Sequence, residues 1–145
     1  MAEFKRTVRV AYQPHQMYDL VDAIELYPEF LPWCERARID HRDDAQVEAT
    51  LGFKQVGFRG DFTTRNTLNP KHRIEMELLD GPFDQLKGWW GFTEKNYGSD
   101  VSLFLSYRFE NPLAGFMFAT VVETIASELV TAFAERAETV YSGYD

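Results

Sequence analysis

The sequence holds one cysteine among its 145 residues, Cys34, which excludes an intrachain disulfide and any dependence on an oxidising compartment. It shows no uninterrupted apolar run near the roughly 20 residues that span a bilayer, so we expect no transmembrane helix. The alternating first residues lack the apolar core of a secretory signal, which favours a cytoplasmic location. Because no base stands near Cys34 in a recognisable pattern, we expect its thiol to pack as a small hydrophobic group.

Sequence signatures of catalysis are also missing. His15, His41 and His72 fall in three different predicted elements, without the spacing of zinc ligands. No glycine-rich phosphate loop occurs. Ser102 and Ser106 lie on the polar face of their predicted strand, opposite its apolar face. The sequence therefore predicts a protein that is not an enzyme and that holds no catalytic cofactor and no metal.

Basic residues are scarce in the second half of the chain. Residues 1–73 hold 11 lysines and arginines against 11 acidic residues, whereas residues 74–145 hold 4 against 12, so the whole net charge of −8 lies there. An acidic half repels phosphate backbones, and we expect no DNA binding. Arg59, Arg65, Lys71 and Arg73 leave open a local basic face, for which a solvated sheet surface is the favoured interpretation.

A clear period of two runs through most of the chain. Alternating apolar and polar residues predict seven strands, at 4–12, 36–42, 47–53, 58–64, 74–78, 86–92 and 101–109. Short turn signals separate the last six, among them Asp43-Asp44, Asn69-Pro70 and Asp80-Gly81-Pro82. Successive strands joined by short turns predict an antiparallel meander.

Two segments have helical spacing instead. Residues 14–24 begin with a proline suited to a first helical turn and predict a short helix. Asn111 and Pro112 predict the N-terminus of a second helix that continues to about Tyr141 and is about 45 Å long. A straight helix on a curved sheet touches it along a line and leaves space beside that line. The apolar interior then forms either a solid core or a tunnel for an apolar ligand.

Residues 27–34 form the most unusual stretch, with two prolines, three aromatic residues and a leucine in eight positions. Pro28 and Pro32 impose a stiff, irregular turn. Large apolar rings on such a turn need cover from water. Two interpretations stay open: the rings plug one end of an ordinary core, or they form a lid over an apolar cavity.

The chain resembles the START-like (helix-grip) coenzyme Q-binding proteins, a branch of the polyketide cyclase/dehydrase superfamily that includes the RatA-type proteins. The resemblance rests on residues 27–34, on Val56-Gly57-Phe58, and on residues 80–83 with Leu86, Trp90 and Phe92 after them. It continues through the last strand and the final helix. It implies an α+β helix-grip fold, with a seven-stranded antiparallel sheet curved around a long C-terminal helix, a single domain over residues 1–145 and a lipid-sized cavity.

The resemblance also implies a function. Family members are thought to bind ubiquinone as a ligand and to support respiratory electron transport as non-catalytic lipid chaperones, with transient contact to the inner membrane. Burying each five-carbon isoprene unit contributes roughly 4 kcal/mol, so a prenylquinone or similar lipid rarely leaves a bilayer unaided. The resemblance carries a first alternative, a RatA-like toxin that binds the large ribosomal subunit and blocks subunit joining. A second alternative is a small-molecule cyclase or aromatase.

Two patterns predict the residues that would line such a tunnel: odd or even position within a strand, here called parity, and helical spacing in the last helix. These residues are Phe30, Trp33, Leu51, Phe53, Phe62, Met76, Leu86, Trp90, Phe92, Leu105, Phe118, Val122 and Ile125.

Overall fold

An antiparallel sheet of seven strands curves around a long C-terminal helix. The computed structural model describes residues 2–55 and 57–142. Its elements are β1 (Ala2–Val10), α1 (Pro14–Asp22), a 3₁₀ helix (Ile24–Glu29), β2 (Cys34–Arg42), β3 (Gln46–Gln55), β4 (Phe58–Asn69), β5 (Arg73–Asp80), β6 (Gln85–Lys95), β7 (Gly98–Arg108) and α2 (Pro112–Tyr141). The predicted helix-grip fold is confirmed. Val56, part of one family motif, lies outside the described residues, and the single domain over residues 1–145 stays a prediction.

The strand order is β1-β7-β6-β5-β4-β3-β2, and every pairing is antiparallel. Each of β2 to β7 pairs with its neighbour in sequence, because the predicted turns are short enough to form hairpins. β1 instead pairs with β7, with Val8 opposite Val101. The side chains alternate between a concave face, which α2 covers, and a convex face that is open to solvent.

Helix α2 begins where the sequence predicts. Asn111 Oδ1 accepts hydrogen bonds from the backbone N–H of Leu113 at 2.9 Å and of Ala114 at 3.4 Å, and Pro112 occupies the first turn. Residues at spacings of three and four turn towards the sheet and are buried: Val122, Ala126, Val130, Phe133 and Ala137. This stripe packs on the concave face.

The expectation that no segment resembles a membrane span needs correction. By length and composition alone, α2 is long and apolar enough to cross a bilayer. Core packing accounts for part of this apolar character, since Val130, Phe133 and Ala137 are fully buried, but only 22% of the most apolar stretch is buried inside the fold. In the first turns Leu113 and Phe116 are 66% and 85% exposed.

Polar contacts attach the C-terminal two thirds of α2 to the rest of the fold. Arg6, the residue that breaks the apolar alternation of β1, donates from Nη1 to the Ser127 carbonyl at 2.5 Å and to Thr131 Oγ1 at 2.7 Å. Tyr141 donates its hydroxyl to the Gln16 carbonyl at 2.8 Å. The helix is therefore held to β1 at its middle and to α1 at its end.

Candidate functional site

A cavity lies between the concave face of the sheet and α2. Its volume is about 150 Å³. A cavity of that size in another protein holds benzene, whereas pockets for drug-sized ligands run from about 300 to 1,000 Å³. In this conformation the interior therefore has room for one group of five or six carbons.

Most of the predicted lining residues do border the cavity. They are Trp33, Leu51, Phe53, Phe62, Met76, Leu86, Trp90, Leu105, Phe118, Val122 and Ile125. The sheet supplies those at alternate positions of β3 to β7, and α2 supplies those at helical spacing, so both periodicities identify the apolar face correctly.

Phe30 and Phe92 do not border it, and their assignment is corrected. The Phe30 ring packs against the Phe133 ring at 5.3 Å between centroids, with the Arg136 guanidinium over its other side. The Phe92 ring meets the Tyr18 ring edge-on at 5.8 Å, under α1. Parity gives the face of a residue but not its position along the strand, and Phe92 lies beyond the cavity where α1 covers the sheet.

The segment at residues 27–34 combines both interpretations offered for it. Tyr27 and Trp33 border the cavity, while Leu31 and Cys34 are buried beside it. The Trp33 ring stacks with Phe62 at 6.5 Å and an interplanar angle of 23°. The segment thus closes one end of the cavity and contributes to the core at the same time.

Two polar residues of β4 line the cavity that sequence reasoning did not single out as functional. Thr64 donates from Oγ1 to Asn66 Oδ1 at 3.1 Å, and Asn66 is a buried polar side chain. Two buried side-chain atoms, Trp33 Nε1 and the Tyr107 hydroxyl oxygen, have no hydrogen-bond partner in the described part of the chain, and Trp33 lines the cavity. Extending the alternation Phe62, Thr64 by one step would have identified Asn66.

Phe83 and Phe118, which border the cavity, belong to a group of aromatic rings here called the mouth cluster: Phe58, Phe83, Phe109 and Phe118. The Phe58 and Phe118 centroids lie 4.7 Å apart, those of Phe109 and Phe118 5.7 Å, and those of Phe83 and Phe109 4.9 Å. Three strand ends and the first turns of α2 meet there. The exposed Phe116 follows on the same helix, close to this opening.

The cavity offers little for acid–base chemistry. Among the described residues, no aspartate, glutamate or histidine lines it, and no cluster has the composition of a metal site. Burial raises the pKa of the Cys34 thiol to about 11 and raises the pKa of the Tyr27 hydroxyl above its usual range. The Tyr27 hydroxyl donates to the Val21 carbonyl. Both groups are therefore neutral at pH 7 and serve packing.

Comparison with known proteins places these features in a family. Over 143 residues the chain is 38% identical to the ribosome association toxin RatA of Escherichia coli K12, covering 98% of this chain and 90% of that protein. It is 23% identical over 146 residues to the mitochondrial coenzyme Q-binding protein COQ10 homolog B of Xenopus laevis, covering 96% of this chain and 59% of that protein.

Solved structures confirm the fold. The Zhui aromatase/cyclase of Streptomyces sp. R1128 superposes with a TM-score of 0.87 at 17% identity, over 98% of each chain. A family model described as polyketide cyclase/dehydrase and lipid transport matches residues 10–134, which includes both walls of the cavity. The chain therefore belongs to the polyketide cyclase/dehydrase and lipid transport family, in agreement with the resemblance seen in its sequence.

Proposed function

We propose that the protein associates with the large ribosomal subunit, as a RatA-type member of its family. The observation that carries this proposal is the 38% identity to the ribosome association toxin RatA, which extends over 98% of the chain. The net charge of −8 counts against a large contact with ribosomal RNA, but the helices carry −7 of it, which leaves the strands and loops close to neutral.

Co-sedimentation tests this function. Purified large subunits are mixed with the protein and pelleted through sucrose at about 50 mM and at about 200 mM salt, because contacts to phosphates weaken steeply over that interval. We expect the protein in the pellet at the lower salt and in the supernatant at the higher. A protein that stays in the supernatant at about 50 mM salt refutes the proposal.

A second function is favoured by the cavity: we propose that it binds the apolar part of a prenylquinone or similar lipid. The lining is mostly apolar, and the unpaired Trp33 Nε1–H, together with the Asn66 amide that also lines the cavity, suits the carbonyl oxygen of a ligand. The volume of about 150 Å³ accepts one isoprene-sized group. A longer tail requires the mouth cluster to separate or the tail to leave through it.

Organic extraction tests this second function. Protein purified from its native host is extracted and the extract is examined by mass spectrometry, with the Asn66→Leu variant as a matched control. We expect a prenylquinone from the wild type and a shift towards lipids without carbonyl groups from the variant. Repeated extracts without any lipid contradict ligand binding, and identical lipids from both proteins contradict a role for Asn66.

Two further points of function stay predictions. Leu113 and Phe116, exposed beside the cavity opening, support transient contact with a membrane during ligand exchange, which flotation with liposomes measures. We also propose that the protein is not an enzyme. The absence of carboxylates and imidazoles from the cavity lining, among the described residues, supports that proposal. Turnover of a polyketide-like substrate by the purified protein would contradict it.

A further inference from the structure

Most lysines and arginines lie on the convex face of the sheet. Eleven of the fifteen occupy outward positions of the strands: Lys5, Arg9, Arg36, Arg38, Lys54, Arg59, Arg65, Arg73, Lys87, Lys95 and Arg108. Carboxylates share this face and neutralise part of its charge, as Asp61 does for Arg36 and Glu48 for Arg65. The helical side is acidic, because α1 and the 3₁₀ helix carry four carboxylates and no lysine or arginine, and α2 carries four glutamates and Arg136. The three helices together therefore carry a net −7 of the total −8.

Two large rings lie on the convex face, where most neighbours are small or polar. Lys5, Phe104 and Trp89 stand side by side on β1, β7 and β6. The Trp89 and Phe104 rings stack at 5.8 Å between centroids and 22° between planes. The Arg73 guanidinium lies 4.3 Å from the Trp89 centroid and Lys5 Nζ 5.6 Å from it.

These residues and Lys87 are here called the outer patch: Lys5, Arg73, Lys87, Trp89 and Phe104. Among the described residues, no carboxylate oxygen lies within 4.0 Å of the Lys5 or Lys87 ammonium group. The Arg73 Nε to Glu75 Oε1 distance is 3.9 Å. Other cations of this face are neutralised more closely, as Arg59 is by Glu35 at 3.1 Å. The outer patch therefore keeps its positive charge available to a partner.

A shallow groove of about 460 Å³ runs along the patch, and its walls include Lys87, Trp89, Phe104 and Arg65. Glu75 and Glu77 also line it, on the β5 side. Anionic groups are therefore favoured beside Lys87 on β6 and disfavoured beside Glu75 and Glu77 on β5. Such an uneven wall orients a ligand that combines charge with flat, stacking surfaces.

We propose that the outer patch binds RNA and is the surface through which the protein contacts the ribosome. Unpaired lysines neutralise phosphates, while an arginine stacked on tryptophan offers a platform to an unstacked base. The acidic helices do not oppose this contact. They lie behind the sheet, about 10 Å away, and physiological salt screens charges over about 8 Å. This inference rests on the proposed ribosome association and specifies its surface.

Two charge-matched double variants test it. Lys5→Glu with Lys87→Glu alters the patch, and Lys71→Glu with Lys95→Glu alters two hairpin ends of the sheet. Both variants change the formal net charge from −8 to −12. We expect the patch variant to bind large subunits at least tenfold more weakly, with the slope of log K against log salt about two smaller in magnitude, and the hairpin variant to bind nearly as the wild type does. Equal loss of binding in the two variants would overturn the proposal.

The same titrations separate RNA from a ribosomal protein as the partner. A patch variant that binds more weakly with an unchanged salt slope assigns the contact to a protein and overturns the RNA proposal.

A single-stranded RNA of about 12 nucleotides provides the second measurement, because it includes no ribosomal protein. We expect it to quench tryptophan fluorescence in the wild type and much less in Trp89→Phe. If wild-type protein does not pellet with large subunits, the proposed function fails. In that case the oligonucleotide alone tests the outer patch. If the wild type does not bind the oligonucleotide, the outer patch is not an RNA-binding surface either.

Discussion

The concave and convex faces of one sheet present opposite chemistry to their surroundings. On the concave face Leu51, Phe62 and Trp90 border an apolar cavity under an acidic helix. On the convex face Lys5, Arg73 and Trp89 face solvent from the same group of strands. Because successive side chains of a strand point to opposite faces, one sequence carries both patterns at once. The two faces therefore use different residues for a lipid and for a nucleic acid, except for Met76 and Lys87, which line both the cavity and the groove.

The difference also explains why the net charge of the chain misleads. A sum over the sequence counts Lys87 and Glu138 together in one acidic half, whereas the fold places Lys87 on the convex face of the sheet and Glu138 on α2. Electrostatic attraction to a polyanion depends on the charges within a screening length, about 8 Å at physiological salt. The local charge of a face, and not the total, decides which partners it accepts.

The strongest test of the comparison truncates one phenylalanine on each face. Phe133 is fully buried against the rings of Tyr27 and Trp90, so Phe133→Ala should lower the free energy of unfolding by about 3–5 kcal/mol. Phe104→Ala removes a half-buried ring from the convex face and should cost about 1 kcal/mol, since its area is only partly removed from water. Urea denaturation measures both. Similar losses would show that the convex rings belong to the core.

Filling the cavity should separate the two proposed functions. Ala126 borders the cavity from α2, and Ala126→Leu places three more carbons in it. We expect at least tenfold weaker binding of a short-chain quinone, measured by quenching of the tryptophans that line the cavity. Association with large ribosomal subunits should not change. If quinone binding and ribosome association both weaken in this variant, the two faces are coupled and do not act as independent sites.

A smaller effect is expected where α2 leaves the sheet. Asn111→Ala removes the side-chain oxygen that accepts from Leu113 and Ala114, which should lower the free energy of unfolding by about 1 kcal/mol. The loss should fall on the exposed first turns and not on the half of the helix fixed by Arg6. Hydrogen exchange measures both regions. Equal acceleration of exchange at Val130 would contradict this division of the helix.

The smallest expected effect concerns Cys34. Burial raises the pKa of its thiol from 9.0 to about 11, so the thiolate fraction at pH 8 is about a hundredfold lower than for an unshifted thiol. Alkylation by iodoacetamide at pH 8 should be slow in the native protein and rapid in urea. Fast labelling of the native protein would show that this end of the cavity opens readily.

Local pattern was enough to predict the elements of the fold. The alternation at residues 101–109 identified β7, and Asn111 with Pro112 located the start of α2, because parity and capping are properties of neighbouring residues. The same periodicities placed most cavity residues on the correct face. These periodicities show towards which face of the sheet or helix each side chain points.

The remaining features depend on how far along an element a residue lies and on what covers it. Phe92 has the parity of Trp90, yet α1 and not the cavity lies above it. The volume of the cavity is the small difference between the space that the fold encloses and the volume that its side chains fill. No sequence pattern gives that difference. The concentration of lysines and arginines on the convex face is visible only when each strand is divided by parity, because a sum over halves of the chain mixes the two faces.

The pairing of β1 with β7 has a consequence for how the chain comes together. Strands β2 to β7 find their partners within successive hairpins, but residues of β1 face partners roughly 90 to 105 positions further along. The strand that is synthesised first is therefore completed last, after residues near Arg108 have been made. Until then β7 has no β1 strand beside it, and Arg6 lacks its hydrogen-bond partners Ser127 and Thr131 on α2. Closure of the grip therefore requires β1 and α2, which lie far apart in the sequence.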